Sequence, residues 1–451
     1  MNYCDIAKEH KSELISLLKE LVQIDSVYDA STISKGAPFG KGIKRALDLM
    51  LAEAIKDGFI VENVDGYAGR IILEGKDKER IAILGHLDVV PVGEGWTYPP
   101  FGAEIHDGKL YGRGATDDKG PVVASYIALK ALKEAGFKPN KTIELILGTD
   151  EETGWRGLAY YQTKYDLPKV GFSPDAEFPL INGEKGILRM TLTGPAALDF
   201  TLKGGEIFNA VIGKAVATTK IDLIDEFEKY LEKENLAGDA TFDGEKYIYT
   251  LIGKTSHAMA PQNGINAGTY LACFLNQHFN HPTLELVANN LHLDFNLNKL
   301  GLKTTHPVMG IITNNIGIMD FNDKETKFTF DIRYPEGFEF SRYEEALKNI
   351  FAVYGVSFVV NENKVPHYVD PNSSLVQTLY HIYVKHSGDT VNKPMCIGGG
   401  TYARALECGV AYGMEDPTKP NVCHIADEYV ELNRLMMAFK IYMEAIYELG
   451  K

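Results

Sequence analysis

Histidines and acids recur in this chain where short apolar runs give way to polar turns. RIAILG (80–85) ends in His86-Leu87-Asp88, TIELILG (142–148) ends in Thr149-Asp150-Glu151-Glu152, and Ser173-Pro174-Asp175 follows another apolar stretch. Asp117-Asp118 sit just before a helical stretch that opens at Pro121, and His424 follows GVAYGMED near the C-terminus. Carboxylates gathered within a few ångströms raise one another's pKa unless a cation intervenes, and a divalent metal resolves the repulsion. Two imidazoles, several carboxylates and no thiolate suit zinc, manganese or cobalt; calcium or magnesium draws an all-oxygen shell. The donors are numerous enough for two ions. Singly, a strand-end histidine is an ordinary hydrogen-bonded residue and an acid pair an ordinary loop or helix cap. Four such coincidences at strand ends are not ordinary.

The elements that must carry these residues follow from hydrophobic periodicity. Between Leu14 and about Gly186, amphipathic helices alternate with short apolar runs, which predicts an α/β sheet. Ligands of such sheets gather at the carboxyl ends of the strands. Pro121 suits a first helical turn and Gly136 a helix end. After LINGEKG (180–186) the pattern changes to shorter alternating strands, LRMTLTG and KFTFDIRYP among them, with helical stretches near 219–234 and 341–353. The expected organisation is a first domain over 1–187, an inserted α+β lid over 188–368, and a return to the first domain over 369–451. That return ends in the amphipathic run LNRLMMAFKIYMEAIYEL (432–449).

Composition narrows the function classes. The net charge of −15, from 61 acidic and 46 basic residues, repels phosphate backbones and anionic bilayers, so neither nucleic acid nor membrane is an expected partner. No stretch reaches the ~20 apolar residues of a bilayer span, and MNYCDIAKEHKSELISLLKELV has no export pattern, so a cytoplasmic protein is expected. Five cysteines without a C-x-x-C pair indicate reduced thiols. The glycine tract at 398–400 is followed by no G-K-[ST], and no G-x-G-x-x-G opens a helix after a strand, which argues against nucleotide binding.

Taken together, GHLDVVPVGEGW (85–96), GRGATDDKGP (112–121), GTDEETGW (148–155), SPDAEFP (173–179), GKTSHAMAPQNGINA (253–267), IGGGTYARA (397–405) and CHIADEYV (423–430) resemble a known family. They are similar to the dinuclear zinc dipeptidases of the PepV and carnosinase type, within the larger group that includes aminoacylases and succinyl-diaminopimelate desuccinylase. The resemblance implies a zinc-peptidase-like catalytic domain, with a central mixed sheet flanked by helices, plus the inserted lid. It implies two Zn2+ ions, His86 and Asp175 on one, Glu152 and His424 on the other, and Asp117 on both, with Asp88 orienting His86. Glu151 matches the general base that takes a proton from a metal-activated water, and the Asp117–Asp118 peptide bond matches one that is cis. His257 is the expected donor to the oxyanion. Arg333, Asn209 and the Gly399-Gly400-Thr401 segment are expected to bind substrate, with Arg333 gripping the free carboxylate of a dipeptide. An N-acyl amino acid deacylase would use the same centre, so specificity rather than mechanism separates the two readings. A noncatalytic peptide binder would be expected to lack Glu151. The long insertion is expected to shield the site within one chain, as a partner subunit does in shorter relatives, which predicts a monomer.

Overall fold

The computed structural model describes residues 2–451 and divides into two compact units. One takes the chain up to Asn182 together with Val369–Met395 and Gly400–Lys451; the other takes Gly183–Tyr368 and Cys396–Gly399. The break expected at 187/188 would fall inside the strand Gly186–Gly194, which pairs along its whole length with Thr326–Tyr334. That ladder draws the entire strand into the second unit. Cys396–Gly399 joins the same unit because Lys185 N donates to Ile397 O (2.9 Å) and Arg333 Nη1 to Gly398 O (2.8 Å).

The first unit is built on a mixed sheet ordered Ile60–Val64, Ala68–Leu73, Thr142–Gly148, Arg80–His86, Val170–Ser173 and Cys408–Ala411, with Ile181 set against Ala411. The four strands from Thr142–Gly148 to Cys408–Ala411 run parallel. Their sequences are apolar almost throughout because both faces are covered. Ile83, Leu145, Leu147 and Phe172 point into a core shared with the helices Tyr3–Val22, Lys119–Glu134, Ser374–Ser387 and Leu432–Gly450. Ala82, Leu84 and Ile146 point the other way, onto Leu158, Tyr161, Tyr402 and Leu406. Each buried Leu, Ile or Phe among them contributes about 1.5–3 kcal/mol by leaving water. Parallel strands with both faces buried also fix where their carboxyl ends lie, and those ends carry His86 and the Thr149–Glu152 turn.

Pro121 sits in the first turn of Lys119–Glu134, and Gly136 closes that helix at φ +81. A three-stranded sheet, Tyr429–Glu431 with Lys109–Tyr111 and Glu104–His106, ties the C-terminal segment to the loop that precedes Asp117.

The second unit is an antiparallel sheet ordered Ala237–Phe242, Tyr247–Ile252, Lys214–Thr219, Phe200–Gly204, Met319–Phe321, Thr326–Tyr334, Gly186–Gly194 and Ser357–Lys364. Leu188, Met190, Phe328, Phe330 and Ile332 enter its core, while Arg189, Asp331 and Arg333 alternate to the other face. The expected helical stretches lie at Ile224–Glu234 and Phe340–Ala352. A further helix, Ala267–Asn276, is capped by Asn266, whose side chain accepts from Thr269 N (3.2 Å). It follows the turn-rich PQNGIN directly, which is why periodicity passes over it. Among the described residues no helix is long and apolar enough to cross a membrane, and all five cysteines are free of disulfides.

Candidate active site

His86 closes its strand fully buried. Its Nε2 lies 3.1 Å from Asp117 Oδ1 and 3.7 Å from Asp175 Oδ2. His424 arrives from a residue in left-handed conformation (φ +65), with Nε2 2.9 Å from Asp117 Oδ2 and 3.0 Å from Glu152 Oε1. The Asp117 carboxylate thus turns one oxygen to each imidazole. Donor atoms of His86, Asp117 and Glu152 all fall within 4.8 Å of one another, as do those of His86, Glu151 and Asp175. The Asp117–Asp118 peptide is cis.

Three supports hold this arrangement. Asp88 is expected to orient His86 through its carboxylate, but His86 Nδ1 pairs with the Asp88 carbonyl oxygen (3.0 Å), and the carboxylate lies farther off at 3.5 Å. That carboxylate instead accepts from the backbone N–H groups of Glu151 (3.1 Å) and Glu152 (3.0 Å), so one residue aims both the imidazole and the acid pair. Glu428, fully buried, accepts through Oε1 from Thr116 N (2.9 Å) and Asp117 N (3.2 Å), and through Oε2 from Arg113 Nη1 (2.6 Å). Trp155, at φ +60, donates from Nε1 to Glu151 Oε1 (3.1 Å) and stands edge-on to Tyr402 at 4.9 Å. Residue order does not single out Glu428, Arg113 or Trp155 as site residues. Each lies three or four residues from a predicted site residue, Arg113 before Asp117, Trp155 after Glu152 and Glu428 after His424, but nothing in that spacing names the group it bonds.

The remaining predicted residues belong to the second unit or its border. His257 has an exposed ring whose Nδ1 accepts from Met259 N (3.2 Å), so in the neutral ring the proton sits on Nε2. Crowding by surrounding protein, then the charges of Arg333 and Arg189, lower its pKa against the opposing pull of Asp331. Asn209 lies on the neighbouring backbone, its carbonyl accepting from Ala258 N (2.9 Å), and Asn315 Nδ2 grips the flanking carbonyls of Phe208 (3.0 Å) and Ala210 (2.9 Å).

Arg333 corrects the expectation of an open carboxylate grip. It is buried, and its fork is already taken by Asp331 (Nε–Oδ1 2.5 Å, Nη2–Oδ2 3.1 Å), while Nη1 donates to Gly398 O. A guanidinium taken out of water needs such a partner. Thr401 Oγ1 accepts from Ala403 N (3.1 Å) and caps the short turn Tyr402–Ala405. Beside it, an added Cβ at Gly400 would meet Arg404 Nη1 at 2.4 Å, whereas one at Gly399 would find only Ile397 Cδ1 at 3.6 Å.

Residues 82–448 match the peptidase family M20/M25/M40. The chain belongs to this family. A Staphylococcus aureus (strain MW2) protein, provisionally named a dipeptidase, is 38% identical over 461 residues, covering 98% of each chain. Among solved structures, human carnosine dipeptidase 1 superposes with a TM-score of 0.61 at 15% identity over 100% of this chain and 99% of its own. The dipeptidase Dug1p from Saccharomyces cerevisiae gives 0.59 at 14% identity over 99% and 98%. At such identities the two structures speak for the fold.

The electrostatics of this M20-family metallopeptidase explain why it needs a cation. Burial first, then neighbouring acids such as Asp175 and Glu152, push the Glu151 carboxyl well above the usual range, and the Asp175 carboxyl rises for the same reasons, with Asp117 the first of its neighbours. His424 is pushed up to about 11 by its hydrogen bonds to Asp117 and Glu152. His86 rises well above its ordinary value: burial opposes its charge, but Asp117 and Asp88 prevail. Asp117, also opposed by burial, is held low by the two imidazoles. Without a metal, these shifts favour protonated histidines that serve as the counter-ions to a surplus of acids. A divalent ion would do so more effectively, leaving both Nε2 atoms free to ligate. The donor set fits a divalent metal, which His86 with Asp117 and Glu152, or His86 with Glu151 and Asp175, could hold.

Proposed function

We propose that this M20 peptidase is a dipeptidase of the PepV and carnosinase type that works with two divalent ions, zinc foremost and manganese or cobalt as substitutes. In this reading His86 and Asp175 serve one ion, Glu152 and His424 the other, and Asp117 both. The observation that carries it is the Asp117 carboxylate facing an imidazole Nε2 from each oxygen. When bound, the ions acidify a water toward pKa ~7 and offset negative charge on the peptide oxygen.

The chain's own residues then do the following work. Glu151 takes the proton of the attacking water and passes it to the departing amine. Trp155, on Oε1, keeps that carboxylate from turning away. Asp88, on the backbone of Glu151 and Glu152, keeps base and ligand in register. His257 offers Nε2–H to the peptide oxygen as it becomes negative. Asn209 steadies the same turn, and the backbone N–H groups of Gly399, Gly400 and Thr401 receive the substrate's free carboxylate, with Arg333 orienting that segment through Gly398.

A relative 38% identical that carries a dipeptidase name supports a dipeptide over an N-acyl amino acid. The test is an assay of purified protein on dipeptides, tripeptides and N-acyl amino acids, before and after chelation and zinc restoration. Cleavage confined to dipeptides, lost on chelation and restored by zinc, is expected. Turnover of N-acyl amino acids alone would replace this reading with the deacylase one. The chain is expected to act as a monomer, so light scattering should give about the chain mass of 50.0 kDa.

A further inference from the structure

Among residues that ligate no metal, the second unit holds a buried chain of charges. Alternation along Thr326–Tyr334 sends Phe330 and Ile332 into the core and puts Asp331 and Arg333 on the opposite face. Asp331 is fully buried and both its oxygens are used: Oδ1 by Arg333 Nε, Oδ2 by Arg333 Nη2 (3.1 Å) and Arg189 Nε (3.1 Å). Arg189 also reaches Glu362 Oε2 (2.9 Å) and lies over the Phe208 ring, its Cζ 5.8 Å from the centroid. Because both oxygens of Asp331 meet its fork, the buried guanidinium of Arg333 is held in one orientation.

What that orientation accomplishes is visible one step further. Arg333 Nη1 holds the Gly398 carbonyl (2.8 Å). Gly398 in turn lies so close to Met259 that an added Cβ would stand 2.5 Å from Met259 Cβ. Met259 supplies the backbone N–H that occupies His257 Nδ1 (3.2 Å). The buried Asp331 is therefore linked, through Arg333, Gly398 and Met259, to the imidazole proposed to meet the oxyanion.

We infer that Asp331 is a positioning residue: by locking Arg333 onto the Gly398 carbonyl it seats Gly398 against Met259 and so keeps His257 with Nδ1 occupied and Nε2–H available. The inference rests on the proposed role of His257 and adds to it the device that maintains the donor tautomer. A carboxylate of this length is required, because the fork must meet both oxygens while Nη1 still reaches Gly398.

The test uses full-length, metal-loaded enzyme on a dipeptide, with kcat and KM measured separately, and ring-nitrogen NMR of 15N-histidine-labelled protein, the His257 signals assigned by their loss in His257→Gln. Asp331→Asn should lower kcat on the order of 10²-fold with a much smaller change in KM, and should convert the His257 signals from one tautomer to a mixture. Asp331→Glu should not restore either. Gly398→Ala, which leaves the Asp331–Arg333 pair in place and breaks the seat on Met259, should move both readouts in the same direction. Glu362→Gln, which touches Arg189 and Lys364 but neither Asp331 nor Arg333, should move neither. Full kcat with unchanged His257 signals in Asp331→Asn or Gly398→Ala overturns the inference, and so does complete rescue by Asp331→Glu, which would mean that charge alone matters. If Asp331→Asn yields no folded protein, Gly398→Ala decides. An undiminished kcat in His257→Ala sinks the reading of His257 itself; a slow His257→Ala beside normal Asp331→Asn and Gly398→Ala sinks only the positioning role.

Discussion

The carboxylate of Asp88 accepts the backbone N–H of Glu151 at 3.1 Å, so the turn that follows His86 also aims the proposed base. One residue thereby holds groups from two strand ends, His86 through its backbone carbonyl and the Glu151–Glu152 turn through its carboxylate. Much of what can be tested about this enzyme follows from that coupling.

Replacing Glu151 by Gln removes the proposed proton acceptor and keeps the shape. Metal content measured by elemental analysis should persist, while kcat falls by about 10²–10⁴. Near-normal peptidase activity in this variant would take Glu151 out of the mechanism.

Asp88→Ala deletes the acceptor for two backbone N–H groups and loosens the turn bearing Glu152. Because residues behind metal ligands tune affinity, zinc binding should weaken by about 10–100-fold, as read by competition with a chromogenic chelator. Unchanged affinity would mean that the Glu151–Glu152 turn needs no such anchor.

Metal affinity should rise with pH, and the sign follows from the imidazoles. His424, pushed up to about 11, and His86, raised well above its ordinary value, both carry protons at neutral pH in the metal-free protein. Each must release its proton before Nε2 can ligate, so binding competes with protonation and strengthens as pH climbs. Calorimetric zinc titrations at pH 6, 7 and 8 should show tighter binding at each step, with protons released. A flat profile would remove these imidazoles from the ligand set.

The Arg113–Glu428 pair is buried on both sides. Glu428→Ala leaves a guanidinium without its partner and two N–H groups beside Asp117 without an acceptor, a loss of about 3–5 kcal/mol. Urea unfolding of the metal-free protein should show it as a lower midpoint. A shift worth less than ~1 kcal/mol would indicate that water replaces the carboxylate.

Much of the layering and of the donor set is legible in residue order. Apolar runs such as RIAILG and TIELILG announce strands covered on both faces, and the polar residues that end them announce where a ligand would gather. His86, Asp175 and the Glu151–Glu152 pair stand out for that reason, while His424 and the choice of Glu152 as a ligand rest on the family resemblance; the fold brings His86, Asp117, Glu152, Asp175 and His424 near one another. The packing of helices on a mixed sheet is legible on the same grounds. Less legible is the helix Ala267–Asn276, because its start is written in turn residues and one asparagine cap rather than in periodicity.

Residue order alone settles the alternation of apolar faces, hence the two kinds of sheet, and the chemistry of the donors at the strand ends, since both are local properties of the chain. The pairing of buried charges is settled only when the chain has folded. Arg333 goes to Asp331 and Gly398 rather than to an open site, Glu428 reaches back to Arg113, and the Asp88 carboxylate takes the amides of Glu151 and Glu152. A charge taken out of water must bond to whatever the fold sets beside it, and for Arg113 and Glu428 that neighbour lies 315 residues away along the chain.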